Sequence, residues 1–343
     1  MKIFERICEV LREDNGAVLA TIVDVSGSTP APGQSKMLIR SMRDYSAIGT
    51  VGGGCLDQYI MLSLNDGKFT GAARVLTYHL NDDDSDTGLT CGGTVHVMVE
   101  SITAEMEPLF LMLRQRRKDA RGSYLLTGLG QISAKSLLDE DGRIICGAPA
   151  APVLLEQIHT LVSRKQRPEG SRRLQSEGAE CVLEYIEPPV RVIVFGGGHV
   201  GRIALKCGAL AGFSMTIVDD REHYANRERF PEADAVVCQG FEDAMDSLKI
   251  TNDDFIVIVT RGHKYDEQIL EKIVPLHPRY IGMIGSKRKV ALSYERLRAR
   301  GISQVDLDSV HAPIGLDIGA ETAEEIGVSI VAELVAVRRG IRE

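Results

Sequence analysis

The sequence predicts an α/β protein in two parts. Residues 1–187 read as a mixed α/β domain, and residues 190–343 as a Rossmann-like domain built on a doubly wound parallel sheet. Three observations carry this expectation. Arg191-Val-Ile-Val-Phe-Gly-Gly-Gly-His-Val-Gly201 is an apolar run that ends in glycines and continues into a helical pattern. After it, short continuous apolar runs alternate with helical stretches, as strands buried on both faces of a parallel sheet do. Pro188-Pro189 lies just before it and cannot extend a strand ladder, so the boundary falls there. A chain of 343 residues also exceeds what one hydrophobic core usually serves.

The elements follow in order. Ile3, Phe4, Ile7, Cys8, Val10 and Leu11 recur at helical spacing, and Asn15-Gly16 closes that helix. Residues 17–25 read as a buried strand, and Gly27-Ser-Thr-Pro-Ala-Pro-Gly33 as a turn-rich loop. Short strands at 36–40 and 45–51 lead to Gly52-Gly-Gly54, and Cys55 opens a helix to about residue 64. Strands at 74–80 and 94–101 flank the acidic loop Asn81 to Asp86 and the stretch Gly88-Leu-Thr-Cys-Gly-Gly93. A helix at 104–117 precedes strands at 124–129, 134–138 and 143–146. A helix at 152–162, a polar connection at 165–170 and a strand at 181–186 complete the first domain. Beyond the prolines, strands are expected at 192–195, 215–218, 235–237, 255–259 and 280–284, with a final helix at 323–339. The sequence shows no internal repeat.

Composition excludes several classes. A formal charge of −8, with no basic stripe, argues against nucleic-acid binding. No apolar run approaches a membrane span, and the charged start Met1-Lys-Ile-Phe-Glu-Arg-Ile is unlike a signal peptide. The seven cysteines form no C-x-x-C pair, so neither a zinc ribbon nor a disulfide framework is expected. A cytoplasmic protein with reduced thiols is the reading.

Two glycine turns carry the candidate chemistry. In the second domain Gly196, Gly198 and Gly201 have the spacing of a dinucleotide-binding turn. Gly196 permits the bend, Gly198 the approach of a pyrophosphate, and Gly201 the packing of helix on sheet. The helix start supplies free N–H groups and partial positive charge. Asp219, closing the next apolar run, suits a ribose diol and hence NAD, while Arg221 offers a phosphate contact instead. An empty or docking Rossmann domain is the bland alternative. Ser286 and Lys287, after the fifth strand, form a candidate anion clamp or a solvated basic helix start. His263 and Asp266, after the fourth, form an acid–base pair or surface decoration.

In the first domain Gly49-Thr-Val-Gly-Gly-Gly-Cys-Leu-Asp57 has the strand–glycine–helix form of an anion cradle, built on Gly52, Gly53 and Gly54. It lacks the Gly-Lys-Ser/Thr end of a nucleoside triphosphate loop. A thiol at a helix start favours the thiolate, so Cys55 is a candidate metal ligand, sulfur carrier or redox group. Its alternative is a small buried hydrophobe. Cys91, in Thr90-Cys-Gly-Gly93, is a possible second thiol for a soft metal. The remaining cysteines read as core residues. Ser28 and Thr29 offer hydroxyls to a polar ligand or serve the turn.

Four segments together resemble the XdhC/CoxI family of xanthine dehydrogenase accessory proteins. They are Gly27-Ser-Thr-Pro with Lys36-Met37; Gly49 to Asp57; Phe195 to Gly201 with Val218-Asp-Asp-Arg221; and His311-Ala-Pro-Ile-Gly-Leu-Asp-Ile-Gly-Ala-Glu-Thr322. The resemblance implies binding of the molybdenum cofactor (a molybdopterin), help in exchanging an oxygen on molybdenum for sulfur supplied by a cysteine desulfurase, and delivery to xanthine dehydrogenase or a related molybdenum hydroxylase. It implies purine catabolism as the setting, and some relatives are labelled dehydrogenase subunits. The family's cysteines match Cys55 and Cys91, and its Rossmann fingerprint matches Gly196, Gly198 and Gly201. Thr29 stands where many relatives carry serine and keeps the hydroxyl. Two rivals stay open: an NAD-dependent oxidoreductase using His263 and Asp266, and a nucleotide or redox sensor. A homodimer also stays open.

Overall fold

The structure is a computed structural model that describes residues 3–29, 31–41, 46–65, 69–80, 92–131, 134–164, 170–176 and 178–341. The chain divides into two units at Pro188–Pro189. The first unit begins with α1 (Ile3–Asp14), β1 (Gly16–Ser26), β2 (Lys36–Ser41), β3 (Ser46–Gly49), α2 (Gly54–Leu64), β4 (Arg74–His79) and β5 (Thr94–Thr103). It continues through a short 3-10 turn into α3 (Glu107–Lys118), β6 (Ser123–Gly128), β7 (Lys135–Leu138), β8 (Ile144–Gly147), α4 (Pro152–Ser163), β9 (Ser171–Ser176) and β10 (Ala179–Ile186).

These strands make two antiparallel sheets of one topology, β3-β2-β1-β5-β4 and β8-β7-β6-β10-β9. Each is built as helix, three strands, helix, two strands. The first unit is therefore an internal duplication, which corrects the expectation of no repeat. Strand register identifies the equivalent positions. Thr21 pairs Lys36 as Thr127 pairs Lys135, and Leu19 pairs Glu100 as Leu125 pairs Glu184. The sequence retains only traces: Gly16-x-x-Leu-x-Thr21 beside Gly122-x-x-Leu-x-Thr127, Lys36-x-Leu38 beside Lys135-x-Leu137, and Glu100-x-Ile102 beside Glu184-x-Ile186.

Alternation along the strands explains the layering. Leu19, Leu38 and Ile102 of one sheet share a core with Leu125, Leu137 and Ile186 of the other, closed by α1 and α3. The opposite faces pack on α2 and α4 respectively. Phe4 and Phe110, equally far upstream of Thr21 and Thr127, stack at 6.5 Å between ring centroids.

Between the sheets lie four buried charges. Lys36 pairs with Glu184, and Lys135 Nζ stands 2.9 Å from Glu100 Oε1, with no side chain of the four more than 5% exposed. The pairing is reciprocal: the lysine of each copy meets the glutamate of the other, as a twofold arrangement requires. Burial raises the pKa of Glu100, and Lys135 opposes that rise. The sequence reading has no strand at β9. Ser-Arg-Arg-Leu-Gln-Ser lies at a sheet edge and buries only Leu174, so it carries no apolar alternation to read.

The second unit contains β11 (Arg191–Phe195), α5 (His199–Leu210), β12 (Ser214–Asp219), β13 (Ala235–Cys238), α6 (Phe241–Leu248), β14 (Phe255–Ile258), α7 (His263–Ile273), β15 (Tyr280–Met283), α8 (Lys287–Ala299), α9 (Gln304–Asp308) and α10 (Ala323–Arg338). Its sheet is parallel, in the order β13-β12-β11-β14-β15. Val192 and Val194 pack toward α5 and α10, while Ile193 and Phe195 pack toward α6, α7 and α8. The sheet is doubly wound, with its switch point between β11 and β14, where ligands of such folds bind.

Candidate functional site

In the first unit, β3 ends at Gly49 and the chain turns through Thr50 to Gly53 into α2. Gly52, Gly53 and Gly54 have φ of 147°, 77° and 50°, values that favour glycine. Two side chains brace the turn. Thr50 Oγ1 donates to Asp57 Oδ2 at 2.7 Å and accepts from the Gly52 and Gly53 N–H groups at 3.1 and 2.6 Å. The Val51 N–H donates to Asp57 Oδ1 at 3.0 Å. The N-cap of α2 is Gly53, which has no side chain to cap the helix start. Cys55 stands there, exposed.

The duplication supplies an internal control. Met37 pairs Gly49 as Ser136 pairs Gly147, so Ala148-Pro149-Ala150-Ala151-Pro152-Val153 occupies the equivalent turn of the second copy. There the cap, Ala151, has φ −59°, and α4 starts with proline. The topology therefore closes without three glycines, without Thr50 and Asp57, and without a cysteine. What the fold does not require in one copy, the other retains beside an exposed thiol.

The Gly27 loop lies on the same sheet edge as this turn, because β1 ends and β5 begins there. A Cβ on Gly93 would meet Ser28 O at 2.3 Å and Ser26 O at 2.7 Å, so glycine is needed for the two backbones to touch. Ser28 is exposed. Thr29 Oγ1 donates to Ala31 O at 3.2 Å, a turn contact. Cys91 and the acidic loop lie outside the described residues. Of the cysteines expected in the core, Cys8 and Cys181 are buried, and burial pushes the Cys181 thiol up to about 11. The others correct that expectation: Cys146 and Cys207 are half-buried and Cys238 is exposed, because Cys238 ends an edge strand.

In the second unit, a Cβ on Gly196 would meet Val259 O at 2.4 Å, and one on Gly201 would meet Gly196 O at 2.0 Å. A Cβ on Gly198 would meet nothing within 4 Å, which leaves that side of the glycine open to a ligand. The ribose-binding candidate is otherwise engaged. Asp219 is buried, its Oδ2 accepting from Gly197 N–H at 2.9 Å and Arg221 Nη2 at 3.0 Å. Its Oδ1 accepts from Arg221 N–H at 3.1 Å and Nε at 2.8 Å. Next to it, Arg261 holds Asp220 through both guanidinium nitrogens, at 2.5 and 2.8 Å.

His263 opens α7, and its Nδ1 is 3.7 Å from Asp266 Oδ2, close enough for charge attraction but not for a hydrogen bond. Asp266 is buried and accepts from Thr260 Oγ1 at 2.5 Å; burial pushes its carboxyl up to about 6. Ser286 caps α8, accepting from Lys289 N–H at 3.4 Å, and Lys287 beside it is exposed.

Sequence reasoning missed several groups. Thr50 and Asp57 stand inside the glycine segment, but residue type and spacing do not mark them as its braces. His311 Nδ1 lies 2.8 Å from Glu333 Oε1, and Glu333 also receives the Tyr280 hydroxyl and the Gly315 N–H. Glu333 is a lone carboxylate in the apolar run Ser329-Ile-Val-Ala-Glu-Leu-Val, and that was its signal. A cleft of about 930 Å³ between α4 and the β7–β8 turn, lined by Glu140, Arg143, Glu156 and His159, includes none of the predicted residues. Among the described residues no group of three or more His, Cys, Asp or Glu side chains is placed to hold a metal. No helix among them is long and apolar enough to cross a membrane.

Two family models match the chain: the XdhC and CoxI family over residues 10–79, and the XdhC Rossmann domain over residues 192–334. The chain is 27% identical over 344 residues to a protein of Bacillus subtilis described as a probable xanthine dehydrogenase subunit, covering 98% of each chain. It is 23% identical over 332 residues to the molybdenum cofactor insertion chaperone PaoD of Escherichia coli, covering 96% of this chain and 86% of that one. A crystal structure described as a xanthine dehydrogenase, from Bacillus halodurans, superposes with a TM-score of 0.80 at 23% identity, over 100% of this chain and 97% of that one. At that identity the likeness is one of fold.

Proposed function

Because the chain belongs to the XdhC and CoxI family, we propose that it carries the molybdenum cofactor and serves in the maturation of a molybdenum hydroxylase such as xanthine dehydrogenase. The observation that carries the reading is the turn at Cys55. An exposed thiol stands at a helix start with a glycine cap, on three glycines whose equivalents in the second copy are Ala150, Ala151 and Pro152. The uncapped N–H groups of Gly54 and Cys55 suit the phosphate of a pterin. Cys55 suits a soft metal or a transferred sulfur. Thr50 and Asp57 brace the turn through hydrogen bonds of the protein itself. In this reading a cysteine desulfurase supplies the sulfur, the loaded protein docks on the recipient enzyme in the cytoplasm, and Cys91 is a second thiol. A homodimer belongs to the same proposal.

The test is anaerobic purification with the cofactor, followed by parallel assay of molybdenum and pterin. The wild-type protein is expected to retain both in equal amounts, and Cys55→Ser is expected to lose molybdenum at least. Equal retention by Cys55→Ser, with equal activation of the recipient enzyme, would remove the thiol from the proposal. The oxidoreductase alternative draws on Asp266, a carboxyl poised near 6 beside His263 at the ligand edge of the sheet. Substrate-dependent NADH formation by the purified protein would establish it.

A further inference from the structure

The second unit has the glycine turn of a nucleotide site, yet its ribose-binding carboxylate is already spent. Oδ1 and Oδ2 of Asp219 each accept two hydrogen bonds, three of the four from Arg221, and the carboxylate is 1% exposed. A ribose diol can reach Asp219 only by displacing Arg221. The guanidinium is held in place from its other side as well, 3.8 Å from the centre of the Tyr224 ring. Its side chain is 35% exposed, and Nη1 makes no hydrogen bond among the described residues. Arg221 is therefore a braced, partly exposed cation on the carboxylate that a ribose diol would otherwise use.

Its surroundings favour an anion. Arg261 is tied to Asp220, whose Oδ1 also stands 3.7 Å from Arg221 Nε. Arg229 Nε donates to Gly197 O at 3.2 Å and approaches the same Tyr224 ring at 5.3 Å. Three guanidinium groups, of Arg221, Arg229 and Arg261, thus gather around Asp219, Asp220 and Tyr224. Gly198 is open, so a pyrophosphate can approach the start of α5.

We propose that the second unit binds a nucleotide bearing a phosphomonoester on its ribose, and selects it over one with a free diol, with Arg221 as the group that meets the phosphate. The proposal rests on the reading of the Gly196–Gly201 turn as a nucleotide site. It reverses the preference for NAD that Asp219 suggests in the sequence.

Isothermal titration of the full chain with NADP+, NAD+, 2′,5′-ADP and 5′-AMP tests it. The 2′-phosphorylated member of each pair is expected to bind at least about tenfold more tightly, with the steeper salt dependence. Arg221→Ala should bring the two affinities together. Should that variant fail to fold, because it leaves Asp219 buried without its partner, Arg221→Lys keeps the charge without the fork and should narrow the ratio. NAD+ binding as tightly as NADP+, or a ratio unchanged by these variants, overturns the proposal and leaves the nucleotide site standing. Failure of all four compounds to bind overturns both.

Discussion

Cys55 and Asp266 show how differently two reactive groups can be prepared. Cys55 is exposed after a glycine turn, whereas Asp266 is buried beneath Thr260. Asp266 makes a prediction about pH. Its folded-state carboxyl is raised from 3.8 to about 6, so the stability it contributes is fully present below 3.8 and is lost as pH rises through 6. At neutral pH the ionised form costs about 3 kcal/mol, from roughly 1.4 kcal/mol per pH unit. Asp266→Asn should raise the melting temperature at pH 7.5 and leave it nearly unchanged at pH 4. A melting temperature that moves equally at both pH values would refute burial as the cause. Both residues were legible in the sequence as candidates. The exposure of one and the burial of the other were not: Asp266 lies one helical turn from His263, but its contact with Thr260 depends on how the loop after β14 folds back.

The duplicated sheets make sharper predictions at the scale of the element. Lys36→Met removes one partner and leaves the buried Glu184 carboxyl without it, which should cost about 3–5 kcal/mol in urea unfolding. Lys36→Met with Glu184→Leu should recover most of that loss, because a buried ion pair is often matched by well-packed apolar side chains of similar volume. A double variant as unstable as the single one would mean that the pair contributes beyond mutual neutralisation. The two copies also allow a transplant. Replacing residues 50–55 with the Ala-Pro-Ala-Ala-Pro-Val of the second copy should keep a cooperative unfolding transition and abolish retention of the cofactor. Loss of the fold in that chimera would show that the glycines serve the architecture after all. The repeat itself was nearly invisible in sequence. Few identities persist, among them Gly16/Gly122, Leu19/Leu125, Thr21/Thr127, Lys36/Lys135, Leu38/Leu137, Glu100/Glu184 and Ile102/Ile186, with the lysines and glutamates held by their buried pairing. Elsewhere any apolar residue of suitable size fills the face.

For the whole molecule, each hydrophobic cluster among the described residues lies inside one of the two units, and none crosses Pro188–Pro189. Calorimetry should therefore resolve two unfolding transitions. A ribose-phosphorylated nucleotide should raise only the one that belongs to residues 189–343. A single transition, shifted as a whole by the nucleotide, would show that the units unfold together. The sequence by itself determined the two-part plan, the parallel sheet of the second unit and both glycine turns, because apolar period, proline and glycine act through local backbone geometry. Tertiary structure alone decided that the first unit is a duplication, that four charges pair between its sheets, and that Arg221 occupies Asp219. Each of these joins residues far apart in the chain or depends on side-chain direction, and neither property is written in the local spacing of residue types.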